Sequence, residues 1–351
     1  MTRYDVVYLD PPWAYSQTKN KGSLTTRGRG WKYIPMGVSE LEALELPLRP
    51  DAHVYCWCTA PLLPTQLSVL EDAWGLRNVG VFRVWLKTCR RRTDHPYFGV
   101  GFYTAANAEF LVVGTRGAAL PPPCVGRTTR HVVGAHSAKP AALRRAVSAS
   151  TPHCTRLEMF ARDESDPDFT YHGDQLCAHA AFQPRPVDVH ARTRPKKRRR
   201  ASAPSFEARL SGRYRVLWLD VSVDARRRLD VAVALDEHAF VLTRLDPAHP
   251  RASVDCYARW GLLYKTVLFV ASNVDAPDAT EVWLVGTSKT TRITAPDVKR
   301  RHRSSVVSCG ADDVVARLAS AVDEVFGADV SKAYVGARGA ALDESWSRPD
   351  A

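Results

Sequence analysis

Residues 4–13 read YDVVYLDPPW. The apolar run Val6-Val7-Tyr8-Leu9 has the length and residue types of a short buried strand. Asp10, Pro11 and Pro12 end it, because proline cannot continue a strand ladder and confines the residue before it to extended backbone. A carboxylate and a large aromatic, Trp13, are thereby fixed on a stiff turn at a strand end. Open α/β sheets bind ligands beyond the carboxyl ends of their strands, so this turn is the first candidate site.

Working outward, residues 1–178 alternate β-rich runs with amphipathic stretches. The expected strands include Val54–Trp57, Val79–Leu86, Phe110–Val113, Val132–Val133 and Leu157–Phe160; Ser39–Leu44 and Leu62–Trp74 read as helices. This alternation predicts an α/β domain with a mostly parallel sheet. Residues 179–205 are rich in Pro, Ala and Arg with no sustained apolar period, and read as a basic linker. A second globular segment follows over residues 206–346.

The two globular segments share five stretches in the same order. YDVVYLDPPW (4–13) lines up with YRVLWLDVSV (214–223), and DAHVYCWCTAP (51–61) with DEHAFVLTRLDP (236–247), pairing Pro61 with Pro247. WGLRNVGVFRVW (74–85) lines up with WGLLYKTVLFVA (260–271), EFLVVGTRG (109–117) with EVWLVGTSK (281–289), and RLEMFAR (156–162) with KAYVGAR (332–338). The pattern predicts an internal duplication. What the second segment lacks falls in two loops, after its first strand and after the stretch matching Trp85, while the strands are kept. Loops carry function and strands carry fold, so the second segment reads as a scaffold without its working parts.

The bulk composition excludes little. Hydrophobic content of 45% and charged content of 25% are ordinary for a globular protein. No apolar run approaches the roughly 18 residues of a membrane span, and Asp5 and Asp10 interrupt any signal-peptide pattern. The eight cysteines include no CxxC pair, which argues against a zinc site and for a reducing intracellular compartment. The net charge of +12 suits a polyanionic partner, although seven of the basic residues lie within residues 192–200.

The chemistry of the turn is specific. An aromatic amine such as adenine N6 is a poor nucleophile, because its lone pair is delocalised into the ring. It must be held so that the lone pair points at an electrophile. The Asp10 carboxylate and the Pro11 carbonyl can each accept one N–H, with Pro12 stiffening the geometry. Trp13 can stack on the base, a contact worth about 1–3 kcal/mol. Positioning and electrostatics then supply most of the rate.

Around this turn lie KYIPM (32–36), VYCWCTAP (54–61), VWLKT (84–88), AEFLVVGTRG (108–117), HSAKP (136–140), RLEMFAR (156–162) and HGDQL (172–176). Together with DPPW they make residues 4–176 resemble the mRNA N6-adenosine methyltransferases, the N6-methyladenosine writers, and their DNA-modifying relatives. The resemblance implies a Rossmann-like methyltransferase sheet and S-adenosyl-L-methionine as cofactor. It implies Asp10, Pro11, Pro12 and Trp13 as the catalytic tetrapeptide and Tyr33 on a loop closing over adenine. It also places Asp10, Ser137, Lys139, Arg162, Asp174 and Gln175 around the cofactor. Position 174 holds Asp where the family has Asn, and only nine residues precede Asp10, where members carry a further cofactor-adenine contact.

In the second segment Asp220-Val221-Ser222-Val223 replaces the tetrapeptide and SCGAD replaces HSAKP. Writers of this family pair an active subunit with an inactive homologue, and this chain resembles both fused, so no obligate partner subunit is expected. The implied activity is N6-adenine methylation of RNA at single-stranded or looped adenines. The alternatives are DNA as substrate, or a nucleic-acid-binding adaptor with weak or no activity.

Trp31, on the polar glycine-rich loop RGRGWKY, and Lys87 are further candidates for substrate contact. His136 reads equally as a site residue or as a hydrogen-bonded structural one. Trp57 and Trp85 read as core. The run PKKRRR (195–200) fits nuclear import, a nucleic-acid-binding arm or a solvated linker. VKRRHR (298–303) and LKTCRRR (86–92) are two more basic clusters, able to line a groove for phosphates or to sit dispersed in solvent. Localisation is expected to be nuclear or cytoplasmic, with no membrane association.

Overall fold

A computed structural model describes residues 2–14, 35–93, 97, 107–122, 127–135, 137–173, 176, 213–229, 231, 234–273, 281–288, 306–309, 314–326, 332–336 and 346–347. The linker 179–205 and the basic runs 195–200 and 298–303 lie outside them.

The first sheet is built from β1 (Tyr4–Leu9), β2 (Leu48–Thr59), β3 (Arg77–Thr88), β4 (Ala108–Arg116), β5 (Arg127–Val132), β6 (Arg156–Met159) and β7 (Thr170–His172). Its helices are α1 (Val38–Glu42), α2 (Leu63–Ser68), which runs on as a π turn over Val69–Ala73, and α3 (Ala141–Ser150). The strand order is β5-β3-β4-β2-β1-β6-β7. The sheet is mostly parallel, as expected, with one reversed strand: β4 runs antiparallel to both β2 and β3. The remaining pairs are parallel. β1 sits inside the sheet, and Val6, Val7, Tyr8 and Leu9 are almost wholly buried. That accounts for its apolar run without alternation.

Each face of the sheet is packed. Val7, Leu9, Val54 and Cys56 point toward α1 and α2, with Leu41, Leu63 and Leu67. Val6, Tyr8, Tyr55, Trp57, Phe82 and Trp85 point the other way, onto Leu143 and Val147 of α3. Trp57 and Trp85 are core residues, in edge-to-face contact at 5.9 Å. α3 has no counterpart among the expected helices. One of its buried positions is Arg144, whose charge breaks the apolar stripe that would have signalled it.

The second sheet comprises β8 (Tyr214–Asp220), β9 (Leu235–Arg244), β10 (Leu263–Asn273), β11 (Glu281–Thr287), β12 (Val306–Cys309), β13 (Lys332–Gly336) and β14 (Trp346–Ser347). Its helices are α4 (Val223–Arg228), α5 (Pro250–Arg259) and α6 (Val314–Phe326). Its order is β12-β10-β11-β9-β8-β13-β14, with β11 the antiparallel strand. Strand by strand this is the order and sense of the first sheet.

The registers coincide as well. Val7 stands opposite Val54 and Leu157; Leu217 stands opposite Val241 and Ala333. β1 slips register between Tyr4 and Val6, and β8 slips between Tyr214 and Val216. β3 carries a second slip between Val81 and Arg83, matched in β10 between Val267 and Phe269. Trp74 and Trp260 donate from Nε1 to the carbonyls of Leu41 and Leu229, each at 2.9 Å. The strands match Val54 with Val241, one position away from the proline-to-proline pairing read from the sequence. Both prolines lie in turns past the strand ends, where a one-residue offset costs nothing; within a strand it would turn every side chain to the wrong face.

The halves meet through α2 and α5, and their buried side chains form one continuous apolar cluster. Val81 N–H donates to the Pro247 carbonyl at 2.7 Å, and the Tyr264 hydroxyl donates to the Ala60 carbonyl at 2.7 Å. Arg251 of α5 reaches Asp72 at 3.3 Å and Glu71 at 3.9 Å, while Asp255 holds it at 3.0 Å. No helix among the described residues is long and apolar enough to cross a membrane.

Candidate active site

Asp10 follows the last residue of β1, at the carboxyl end of the sheet. Pro11 is buried, and its carbonyl accepts the Trp13 N–H at 2.9 Å. The turn is then tied down: Met36 N–H donates to Pro12 at 2.8 Å, and Ala14 N–H to Met36 at 2.9 Å. Trp13, expected to stack on a base, is only 6% exposed and packs in the core on the α2 side. Its indole N–H points to the Trp57 carbonyl at 3.4 Å. In this state little of the ring is open to a base.

Four charged side chains converge at the strand ends. Lys139 Nζ lies 2.7 Å from Asp10 Oδ2 and 3.3 Å from Glu109 Oε2; Lys87 Nζ lies 2.5 Å from Glu109 Oε1. Lys139 also stands 5.4 Å from the centre of the Trp57 ring, and Lys87 stands 5.1 Å from that of Trp85. The four charges balance, which a site removed from water requires. Burial raises the Asp10 carboxyl above the ordinary carboxylate value, against the opposing pull of Lys139. Burial pushes Glu109 the same way, but Lys139 and Lys87 together outweigh it and hold Glu109 at about 2. Lys139 is held charged by Asp10 and Glu109, although burial alone would lower it.

Glu109 was not among the residues singled out from the sequence. It is the second residue of β4, directly opposite Thr59 at the end of β2. Only the reversed direction of β4 brings this amino-terminal residue to the carboxyl ends of the neighbouring strands. Its sequence signal, one acid heading an apolar strand, does not separate it from an ordinary strand start.

A second charged pair lies nearby. Arg144 of α3 donates to Glu158 at 3.1 Å and also approaches Ser165 at 2.8 Å. Burial raises Glu158 to about 7 even though Arg144 opposes it. Next to it the Trp57 indole donates to the Tyr8 hydroxyl at 2.7 Å.

The expected cofactor residues are partly assembled. Ser137 is exposed and takes a left-handed φ of 63°, and its carbonyl lies 3.4 Å from Lys139 Nζ. Phe160 is also left-handed, at φ 61°, and turns the chain into half-buried Arg162. Such a conformation costs a side-chain-bearing residue about 1–2 kcal/mol. Gly173 packs against Ala161: a Cβ placed there would lie 2.1 Å from the Ala161 carbonyl oxygen. Asp10, Lys139, Ser137 and Lys87 thus come together. Trp31, Tyr33, His136, Asp174 and Gln175 lie outside the described residues.

This donor set fits S-adenosylmethionine. Its sulfonium cation suits the half-buried Asp10 and Glu109 carboxylates, and its amino-acid carboxylate suits Lys139 beside the amino end of α3.

At the matching place in the second half, Asp220 is 3% exposed and accepts from the Tyr334 hydroxyl at 2.8 Å. Arg244 occupies the position that Trp57 has in the first sheet, opposite Trp283 as Trp57 is opposite Leu111. Its guanidinium lies 3.8 Å from Asp220 and 3.3 Å from Glu281.

The family description MT-A70 matches residues 4–175. A type II methyltransferase, M.MunI, from a Mycoplasma species is 27% identical over 180 residues, covering 46% of this chain and 73% of that protein. The matched span contains β1 to β7 and each of the four converging charges. Over these residues the N-terminal half of this chain is similar to the MT-A70 methyltransferases.

Proposed function

We propose that residues 4–175 transfer a methyl group from S-adenosylmethionine to N6 of an adenine in RNA. The observation that carries this reading is the half-buried Asp10 carboxylate on the Pro11-Pro12 turn, ion-paired to Lys139 at 2.7 Å. The cofactor, when bound, supplies an electrophilic methyl on a sulfonium. Asp10 accepts one N–H of the adenine amine. The Pro11 carbonyl, which already takes the Trp13 N–H, has a second lone pair for the other. Lys139 then rests on Glu109, so no buried charge is left unpaired. As N6 gains the methyl it sheds one proton, and the Asp10 carboxylate, whose pKa burial raises, stands closest to receive it. Lys87 holds Glu109 in place rather than facing a substrate directly.

The C-terminal segment reads as a related, non-catalytic domain. Common strand order, common registers and common slip positions support that reading more strongly than any sequence pair. With Arg244 bridging Asp220 and Glu281, and no Pro-Pro turn after β8, this half has no means of gripping an adenine amine. It serves as a scaffold, and the chain needs no obligate partner subunit. The basic run at 195–200 then contributes to nucleic-acid binding or to nuclear import, and the run at 298–303 to nucleic-acid binding.

The similarity to a type II methyltransferase favours a second reading, in which the substrate is DNA. Incubation of the purified chain with methyl-labelled cofactor and matched RNA and DNA oligonucleotides, followed by nucleoside analysis, separates the two. N6-methyladenosine from the RNA supports the first reading and N6-methyldeoxyadenosine the second. Cofactor binding without transfer to either supports an adaptor.

A further inference from the structure

The contact between the halves is nearly two-fold, but the side chains within it are not. The turn that ends β2 is touched by β10, and the turn that ends β9 is touched by β3. From β3 the contact is a main-chain one: Val81 N–H to the Pro247 carbonyl at 2.7 Å. From β10 it is a side chain: the Tyr264 hydroxyl to the Ala60 carbonyl at 2.7 Å. Arg77 stands opposite Thr115 as Leu263 stands opposite Thr287, so the residue in the place of Tyr264, one further on, is Asn78; its amide donates within its own half, to the Thr115 hydroxyl at 2.9 Å. At these two turns, among the described residues, the side-chain contact that crosses points toward the half that carries Asp10.

Tyr264 is itself held. Its ring meets that of Tyr257 edge-on at 5.9 Å. Tyr257 bonds Thr243 at 2.8 Å and fills the space over Gly286, where a Cβ would come within 2.2 Å of its ring. On the receiving side, Ala60 follows Thr59, which stands opposite Glu109. Thr59 N–H is capped by buried Gln66 at 2.8 Å. Three residues before Ala60, the Trp57 carbonyl receives the Trp13 indole, and the Trp57 ring stands beside Lys139.

We propose that Tyr264 is a positioning residue for the Asp10 site: its hydroxyl fixes the Ala60 carbonyl and, through the end of β2, sets Trp57 and Glu109 against Lys139. This rests on the methyltransferase reading of the N-terminal half. It gives the scaffold half a defined task, carried by one hydrogen bond.

The test uses the full chain and two variants. Tyr264→Phe keeps the ring and removes the hydroxyl. Arg251→Met breaks the ion pairs to Asp72 and Glu71 across the same interface without touching the Ala60 turn. Amide hydrogen exchange is followed over residues 54–63, and kcat and KM for methyl transfer are measured below the unfolding temperature of each. The expected result for Tyr264→Phe is faster exchange in the 60–63 turn and a fall in kcat of about tenfold, with KM for the cofactor little changed. Arg251→Met is expected to keep wild-type exchange in that turn and wild-type kcat. Equal behaviour of the two variants, or unchanged exchange in Tyr264→Phe, overturns the proposal. A wild-type chain that transfers no methyl group overturns the methyltransferase reading, and this inference falls with it; the exchange data distinguish that failure from a Tyr264 that never held the turn.

Discussion

Lys139 Nζ stands 2.7 Å from Asp10 Oδ2 across 129 positions of sequence, and the same ammonium lies 3.3 Å from Glu109. One cation thus serves two half-buried carboxylates, and it can shift its weight to Glu109 when Asp10 turns to another donor. Lys139→Met is expected to leave Asp10 without its ion-pair partner and Glu109 with Lys87 alone. The loss is about 1–3 kcal/mol of stability, below the penalty for a fully buried pair because Asp10 keeps some contact with solvent. The Asp10 pKa should rise further, because the group opposing burial has gone, and any activity that remains should move to higher pH. Denaturant unfolding and a pH–rate profile measure the two effects separately.

Glu109 is held at about 2, below the ordinary carboxylate value of 4.5. A carboxyl depressed in the folded state stabilises the fold above 4.5. That contribution is lost as pH falls from 4.5 toward 2. Glu109→Gln should therefore be less stable than wild type at pH 7, by on the order of 2–3 kcal/mol, and the gap should close toward pH 2–3. Urea unfolding at pH 7 and pH 3 gives the comparison. An equal gap at both would assign the loss to packing rather than to charge.

Gly173 leaves no room for a side chain against Ala161. Gly173→Ala is expected to displace the strand end that leads to Asp174 and Gln175. Cofactor affinity should weaken by tenfold or more while the fold persists, since the segment lies at the sheet edge beyond β7. Calorimetric titration with S-adenosylmethionine, set beside a thermal melt, tests this.

Arg244 bridges the two acids of the second half where Trp57 stands in the first. The chain should accordingly bind one cofactor molecule. Two equivalent sites per chain in the same titration would contradict the scaffold reading.

The DPPW turn and the strand that precedes it were legible in the sequence, because proline and an apolar run act locally; Lys139 stood out only through the HSAKP resemblance, and its pairing with Asp10 was not foreseen. The role of Glu109 was not, since it depends on β4 running against its neighbours. Helix α3 was hidden by Arg144, a charge at a buried position that only its pairing with Glu158 makes tolerable. Trp13 was read as a stacking surface from its residue type, but its surroundings place it in the core. The likeness of the two halves showed faintly in sequence. It is sharper in the shared slips of register, which depend on hydrogen-bond pairing rather than on side-chain identity.

The measurement that bears most directly on the central claim compares wild type with Asp10→Asn. Both are given labelled S-adenosylmethionine and an adenine-containing single-stranded oligonucleotide. Asn is nearly the shape of Asp but cannot form the ion pair or accept through two anionic oxygens. The account predicts N6-methylated adenine from the wild type and a fall of at least 10²–10³-fold in the variant, with cofactor still bound. Methyl transfer that persists unchanged in Asp10→Asn would contradict it.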